Sequence, residues 1–165
     1  AWINSIEELE ILLTKHNTQS IFLDLPKDRI KPPNNRYSLE DLFNILNTHK
    51  NIKYFAISNV NSPDDLNIYK NAIPKEIVLV PKIESPVGVL NINSIVDAIP
   101  TSEKILMLDH DDLYSALIKN KEPSSKFTEY IQTLSDFCNE NNVSLLRTIG
   151  VIFSDDEKRT TQYIQ

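Results

Sequence analysis

The chain has 165 residues, of which 41% are hydrophobic and 24% are charged, values that are ordinary for a soluble globular protein. The formal net charge of −6 argues against a nucleic-acid-binding protein, which would present a basic surface. No apolar run approaches the roughly 20 residues that a membrane helix needs, and the N-terminal residues AWINSIEELE carry no visible signal peptide, so no membrane partner is expected.

The length predicts a single domain over residues 1–165. The one cysteine, Cys138, cannot form an internal disulfide, and this favours a cytoplasmic location and a buried thiol with no chemical role. Only two glycines, Gly88 and Gly150, are present. A glycine-rich phosphate loop or a dinucleotide fingerprint needs several, so both are excluded.

Strands and helices are predicted to alternate along the chain. Helices are expected over 5–16, 38–47, from 62 onward, 85–98, 114–119 and 125–141. Strands are expected over 20–25, 52–58, 77–81, 104–108 and 143–147, with 150–153 as a further candidate. A proline-rich loop covers 26–37, and a polar tail covers about 155–165.

This alternation indicates an α/β fold with a parallel sheet and right-handed crossovers. Two architectures satisfy it: an open, doubly wound sheet or a (β/α) barrel. A complete eight-stranded barrel typically takes about 200 residues or more. The sequence therefore predicts a short, partial TIM-barrel-like domain, a fragment of a barrel, or an open sheet.

Polar residues follow the predicted strands at the ends that share one edge of a parallel sheet. They are Asp24, Ser58, Lys82 with Glu84, the run Asp109–Asp112 with His110, and Arg147 with Thr148. Glu84 and Asp112 belong to successive β-α units, and carboxylate oxygens that face one another favour Mg²⁺ or Mn²⁺. A divalent-metal site is therefore expected at this edge.

An anion site is also expected there. Ser85 and Pro86 begin a helix beside Glu84, and Gly88 leaves its first turn unshielded, so free N–H groups are available to a carboxylate or phosphate. Together with the metal and Lys82, this predicts a cradle for a small 2-oxo acid and its enolate.

Each of these residues also has a purely structural interpretation. Asp109 and Asp111 are of the type that caps helices, and Lys82 is equally compatible with a solvated charge at the edge of the sheet. Arg147 is equally compatible with an ion pair to a nearby carboxylate. His110, alone, is more typical of a hydrogen-bonded turn residue than of a catalytic base.

The segment VPKIESPVGVLNINSIVDA resembles the Lys-(Ile/Val)-Glu segment of the phosphoenolpyruvate/pyruvate-binding barrels, which include the citrate lyase β-subunit, HpcH/HpaI-type aldolases and, more distantly, pyruvate kinase. In those families a Glu on one strand and an Asp on the next hold the metal. The resemblance therefore implies that Glu84 and Asp112, the latter in DHDDLYSAL, are metal ligands. Lys82 matches the catalytic lysine of pyruvate kinases.

The resemblance extends over about residues 20–150 in the same order. It matches Thr148 to a threonine after the following strand, Ser58 to a conforming serine and Asp24 to an acidic position of an earlier strand. The first strands of the relatives, with their substrate-binding arginines, have no counterpart. The loop after Asp24 has no room for a nucleotide-binding domain, so kinase activity is not expected.

The leading hypothesis is a Mg²⁺- or Mn²⁺-dependent carbon–carbon lyase or aldolase that acts on a small 2-oxo acid or acyl-type carboxylate through a metal-stabilised enolate. Lys82 and Arg147 would be catalytic, and Thr148, Ser58, Asp24 and Gly88 would contact the substrate. A non-catalytic partial barrel, or a piece of a larger enzyme that acts in assembly, is the alternative. In either case the open strand edges predict a homo-oligomer or a covering domain. A receiver-like open sheet fits less well.

Overall fold

The computed structural model describes residue 3, residues 5–25 and residues 38–148 of the chain. Their helices are α1 (Ile6–Lys15), α2 (Leu39–Thr48), α3 (Asn67–Lys70), α4 (Pro86–Leu90), α5 (Ile92–Ala98), α6 (His110–Lys119) and α7 (Lys126–Glu140), with a 3₁₀ turn at Pro63–Leu66 before α3. Their strands are β1 (Ile21–Leu25), β2 (Ile52–Ile57), β3 (Val78–Ile83), β4 (Ile105–Leu108) and β5 (Ser144–Arg147). The predicted loop 26–37, the candidate strand 150–153 and the polar tail lie outside the described residues.

The five strands form one parallel sheet in the order β1-β2-β3-β4-β5. The predicted α/β class, with alternating β-α units and a parallel sheet, is therefore confirmed. A doubly wound sheet reverses its strand order at a switch point, whereas this order follows the sequence without reversal. The arrangement is consistent with a partial barrel.

The two faces of the sheet differ in what they contact. The large hydrophobic core joins the helices to one face, through side chains such as Phe55, Leu79 and Leu106. The opposite face carries a small apolar cluster that contains strand residues and no helix residue among those described, and in it Ala56 and Val80 are fully buried. Because side chains alternate between faces along a strand, Lys82 lies on the same face as Val80. Lys82 is therefore near the end of this second face, at the carboxyl edge of the sheet.

Local sequence explains where several elements begin and end. Ser38 and Asp41 form the predicted capping box at the start of α2, with Ser38 Oγ accepting from the Asp41 amide. The helix predicted over 85–98 is divided into α4 and α5 at Asn91. The helix predicted to begin at residue 114 begins four residues earlier, because Asp109 caps it through the amides of Asp111 and Asp112.

None of the helices in the described part of the chain is long and apolar enough to span a bilayer. Cys138 is buried in α7, and burial raises the pKa of its thiol to about 11, which opposes a nucleophilic role.

Candidate functional site

Lys82 lies at the centre of the polar residues at the carboxyl edge of the sheet. Its side chain projects from the end of β3 and is buried, with the whole residue only 7% exposed. The Nζ atom lies 3.1 Å from Asp24 Oδ2, 3.2 Å from Ser58 Oγ and 3.2 Å from Glu84 Oε1. The interpretation of Lys82 as a solvated charge is therefore wrong. The ammonium joins three neighbouring strand ends.

Electrostatics keeps this lysine charged. Burial alone lowers the pKa of Lys82, but the carboxylates of Asp24 and Glu84 outweigh burial and leave that pKa raised above its ordinary value. Asp24 is the more exposed partner, with 43% of its side chain accessible, whereas Glu84 is almost completely enclosed. At neutral pH Lys82 is an ammonium and not a free amine nucleophile.

Glu84 is held at both of its carboxylate oxygens. Oε1 faces the Lys82 ammonium, and Oε2 accepts a 2.6 Å hydrogen bond from the backbone amide of Asn59. Burial raises the pKa of Glu84, and the negative charge of Asp112 raises it further. Lys82 and the Asn59 amide lower it, but by less, so the pKa of Glu84 remains above its ordinary value. The carboxylate is thus oriented by two donors and destabilised by its surroundings, which favours a compensating cation.

Three acidic side chains converge beside that carboxylate. Glu84, Asp109 and Asp112 each offer one oxygen, and these oxygens all lie within 4.8 Å of one another. Glu84 and Asp112 were expected to converge, and they do. Asp109 also takes part, in addition to capping α6 through its Oδ1 atom. Asp111, which neither caps the helix nor belongs to this group, is exposed.

These residues fit a hard divalent cation. Carboxylate oxygens are the ligands that Mg²⁺ and Mn²⁺ prefer, and Mg²⁺ usually takes one or two carboxylates and completes its shell with water or substrate. The acidic cluster carries more negative charge than the single ammonium of Lys82 can balance. Glu84, Asp109 and Asp112 could therefore hold such an ion, and it would share the Glu84 carboxylate with Lys82.

The structure places Arg147 and Thr148 at the end of β5, beside Leu108 of β4. The register pairs Leu108 with Arg147, so both lie on the sheet face that packs against helices, whereas Lys82 pairs with Met107 on the other face. Thr148 donates its amide to the Leu108 carbonyl, at 3.2 Å. The catalytic role of Arg147 and the substrate contact of Thr148 stay predictions.

Gly88 lies in the first turn of α4, near the turn that follows β2. Its amide donates to Ser85 Oγ, at 3.1 Å, and its Cα packs so closely against that turn that an added Cβ would lie 2.8 Å from the Val60 carbonyl oxygen. The amide that the sequence offered to an anion is thus used within the chain. Substrate contact by Gly88 stays a prediction, and close packing is the role for which the structure provides evidence.

His110, expected in a hydrogen-bonded turn, is instead the first residue of α6 and is 2% exposed. Its ring packs edge-on to Phe127, and neither ring nitrogen makes a hydrogen bond of ordinary geometry within the described residues. Burial, followed by the positive charge of Arg147, lowers the pKa of His110, while Asp109, Asp111 and a backbone contact with Thr148 act in the opposite direction. The folded protein therefore favours the neutral imidazole.

We expect this histidine to make stability depend on pH. Because its folded-state pKa lies below the ordinary value of 6.5, its contribution is present above pH 6.5 and is lost as the pH falls toward and through the folded-state pKa. Urea unfolding of His110→Phe should show a smaller loss of unfolding free energy between pH 7 and 5 than the wild type. Equal slopes for the two proteins would contradict this assignment.

Sequence reasoning missed two contributors to the site. Asp109 is predicted to lie at this edge, with helix capping as an alternative role, but only Glu84 and Asp112 are predicted as metal ligands; its position two residues after Met107 places it on the face that carries Lys82. Asn59 is not predicted from the sequence, because its contribution is a backbone amide, for which a side-chain pattern holds no signal. The one available clue was an asparagine directly after a strand, a residue type that tolerates left-handed backbone.

Fold and geometry together define a class, a β/α protein with a parallel sheet whose carboxyl edge carries a buried lysine and an acidic cluster. No protein-family model matches the chain, and no curated protein matches it. Among solved structures it is similar to the one titled "Crystal Structure of RipC from Yersinia pestis", at 17% identity and a TM-score of 0.62, over 96% of this chain and 77% of that chain. This likeness shows the fold alone.

A second similar structure is a pyruvate kinase from Cryptosporidium parvum in complex with ADP, at 22% identity and a TM-score of 0.49. The match covers 66% of this chain and only 22% of that chain. At that score the likeness carries no argument about the site.

Proposed function

We propose that this protein is a divalent-metal-dependent carbon–carbon lyase or aldolase that acts on a small 2-oxo acid or acyl-type carboxylate. The observation that carries the proposal is the convergence of Glu84, Asp109 and Asp112 within 4.8 Å of one another, beside a buried lysine. Mg²⁺ or Mn²⁺ is the cofactor whose ligand preference these oxygens match. When bound, such an ion would polarise a substrate carbonyl as a Lewis acid.

Lys82 would stabilise negative charge on the substrate oxygen. A lysine ammonium has three N–H donors, and here it has three partners in Asp24, Ser58 and Glu84. It can donate to a substrate oxyanion only after it releases one of them. Glu84 is the partner that Lys82 would share with a bound cation, so metal binding and the availability of Lys82 are coupled in this proposal.

The other predicted residues would bind and orient the substrate. Asp24 at the end of β1 and Ser58 just after β2 hold the lysine in place. Arg147 is the remaining cation proposed for the substrate carboxylate, with Thr148 next to it, and reaching the site would require its side chain to pass around the end of β5. A preorganised ammonium at a developing oxyanion is the kind of group that lowers a reaction barrier in a water-poor site.

The experiment follows enolisation, the step that these reactions share. Pyruvate, 2-oxobutyrate and acetyl-coenzyme A are incubated with the protein in D₂O, and NMR measures loss of the protons next to the carbonyl. We expect exchange that requires Mg²⁺ or Mn²⁺ and is lost in Glu84→Gln, whereas Glu76→Gln, an exposed glutamate before β3, behaves as wild type. Exchange at the background rate with all three compounds would contradict the lyase proposal.

A second candidate function, a non-catalytic role in assembly, is favoured by a different observation. The described residues form five strands, fewer than the eight of a complete barrel, and within them β1 and β5 each pair with one neighbour only. Strand edges of this kind pair readily with another chain, so a homo-oligomer or a covering domain is proposed in either case. Sedimentation that shows a stable dimer, in a protein that binds no metal at millimolar concentration, would favour this candidate over the enzyme.

A further inference from the structure

We propose that the turn formed by residues 58–62, here called the Asn59 turn, is a positioning element that sets the orientation of Glu84. The inference rests on the proposed function, because it concerns a ligand of the proposed metal site. Its starting observation is the backbone of Asn59, which has a φ of 55°, in the left-handed region. Asparagine adopts that region more readily than most residues, and β-branched residues almost never do.

The left-handed residue directs one amide at one oxygen. The Asn59 N–H donates to Glu84 Oε2 over 2.6 Å, a short distance that is typical of a hydrogen bond to a charged acceptor. Glu84 Oε1 lies on the other side of the carboxylate, toward Lys82. The amide therefore fixes the plane of the Glu84 carboxylate and leaves Oε1 facing the lysine.

The rest of the turn is held so that Asn59 keeps this conformation. Asn61 and Ser62 both donate their amides to Asp65 Oδ2, at 2.9 and 3.0 Å. The Asn91 side chain donates to the Asn61 carbonyl at 2.7 Å. Backbone strain at one residue persists where its surroundings determine the conformation by several independent contacts, and this turn satisfies that condition.

The turn is also packed from the other side. The Val60 amide donates to the Lys82 carbonyl, at 3.3 Å, which ties the turn to β3. The carbonyl of Val60 lies against Gly88, where any side chain would displace it. Gly88 thus acts on Glu84 through the turn, and this gives a second, independent position at which the proposal can be tested.

The test compares two substitutions that remove the same side chain. Asn59→Gly keeps the amide and permits the left-handed backbone, so it should bind Mn²⁺ at least about tenfold more tightly than Asn59→Val, which removes the same side chain. Asn59→Val opposes that backbone and should weaken Mn²⁺ binding by about 10–100-fold, the loss typical when an outer partner of a metal ligand is removed. Gly88→Ala should also weaken Mn²⁺ binding, and it provides the test if Asn59→Val does not fold.

A readout in the metal-free protein separates positioning from general stability. The amide proton of residue 59 should resonate far downfield in wild type and Asn59→Gly, and should move upfield in Glu84→Gln, where the charged acceptor is lost. If Asn59→Val and Gly88→Ala bind Mn²⁺ as tightly as wild type does, the inference is overturned and the proposed function still stands. An amide resonance unmoved in Glu84→Gln would also overturn it. If wild type binds no Mn²⁺ at millimolar concentration, the proposed function is overturned, and the inference is overturned with it.

Discussion

Replacing Lys82 with methionine is expected to lower the free energy of unfolding of the metal-free protein by about 3–5 kcal/mol at pH 7, the usual cost of removing one partner from a buried ion pair. Glu84 is 4% exposed and would be left with a charge that no ammonium compensates. Asp24 is more exposed, so the loss of its ion pair with Lys82 should lower the free energy of unfolding by less. Urea unfolding monitored by circular dichroism measures the change.

The same position offers an internal control. In the double variant Lys82→Met/Glu84→Gln the buried charge is gone as well, so much of the lost stability should return. Lys53→Met, at an exposed position of β2, should change stability by no more than about 0.5 kcal/mol. Mn²⁺ should stabilise Lys82→Met more than it stabilises wild type, because the ion no longer competes with the ammonium. A Lys82→Met protein as stable as wild type would show that Glu84 does not depend on its ion pair.

The second large effect is expected at Asp112, and its neighbour provides the matched control. Asp112→Asn should weaken Mn²⁺ binding by at least roughly 100-fold, since the loss of even an outer partner of a ligand costs about 10–100-fold. Asp111→Asn removes the same charge one residue away on α6, but Asp111 lies outside the converging group, so its effect should stay within about twofold. Isothermal titration with Mn²⁺ measures both.

The comparison separates a site from a surface charge. If the acidic residues attracted the ion only through their summed charge, the two substitutions would weaken binding equally, and raising the salt concentration would abolish the binding in both. Equal effects would therefore contradict a site that depends on the geometry of Asp112.

Much of the fold could be predicted from the sequence because it depends on local signals. Apolar runs such as Ile77–Val80 and Ile105–Leu108 predict buried strands, and Ser38 with Asp41 marks the start of a helix. The choice between an open sheet and a partial barrel could not be made in this way. It depends on the order in which strands pair, a property of the whole sheet, and composition does not determine it.

The candidate site was predicted only in part, and the reason is geometric. Residues that end neighbouring strands, such as Lys82 and Asp24, can be assigned to one edge from topology alone. Which of them touch depends on the face from which each side chain leaves its strand, and this separates Arg147 from Lys82. The orientation of Glu84 comes from the backbone amide of Asn59, and His110 is buried by packing against Phe127. Such contacts depend on tertiary packing between elements that are distant in the sequence.

The most direct measurement of the central claim is the location of bound Mn²⁺ by paramagnetic broadening of backbone amide resonances. With substoichiometric Mn²⁺, broadening should concentrate at the chain segments around Asn59, Glu84 and Asp109–Asp112, which meet at the carboxyl edge of the sheet, and should spare the far end of α7. Glu84→Gln should abolish that pattern. Broadening centred on the exposed glutamates of α1, or no broadening at all, would contradict a metal site formed by Glu84, Asp109 and Asp112.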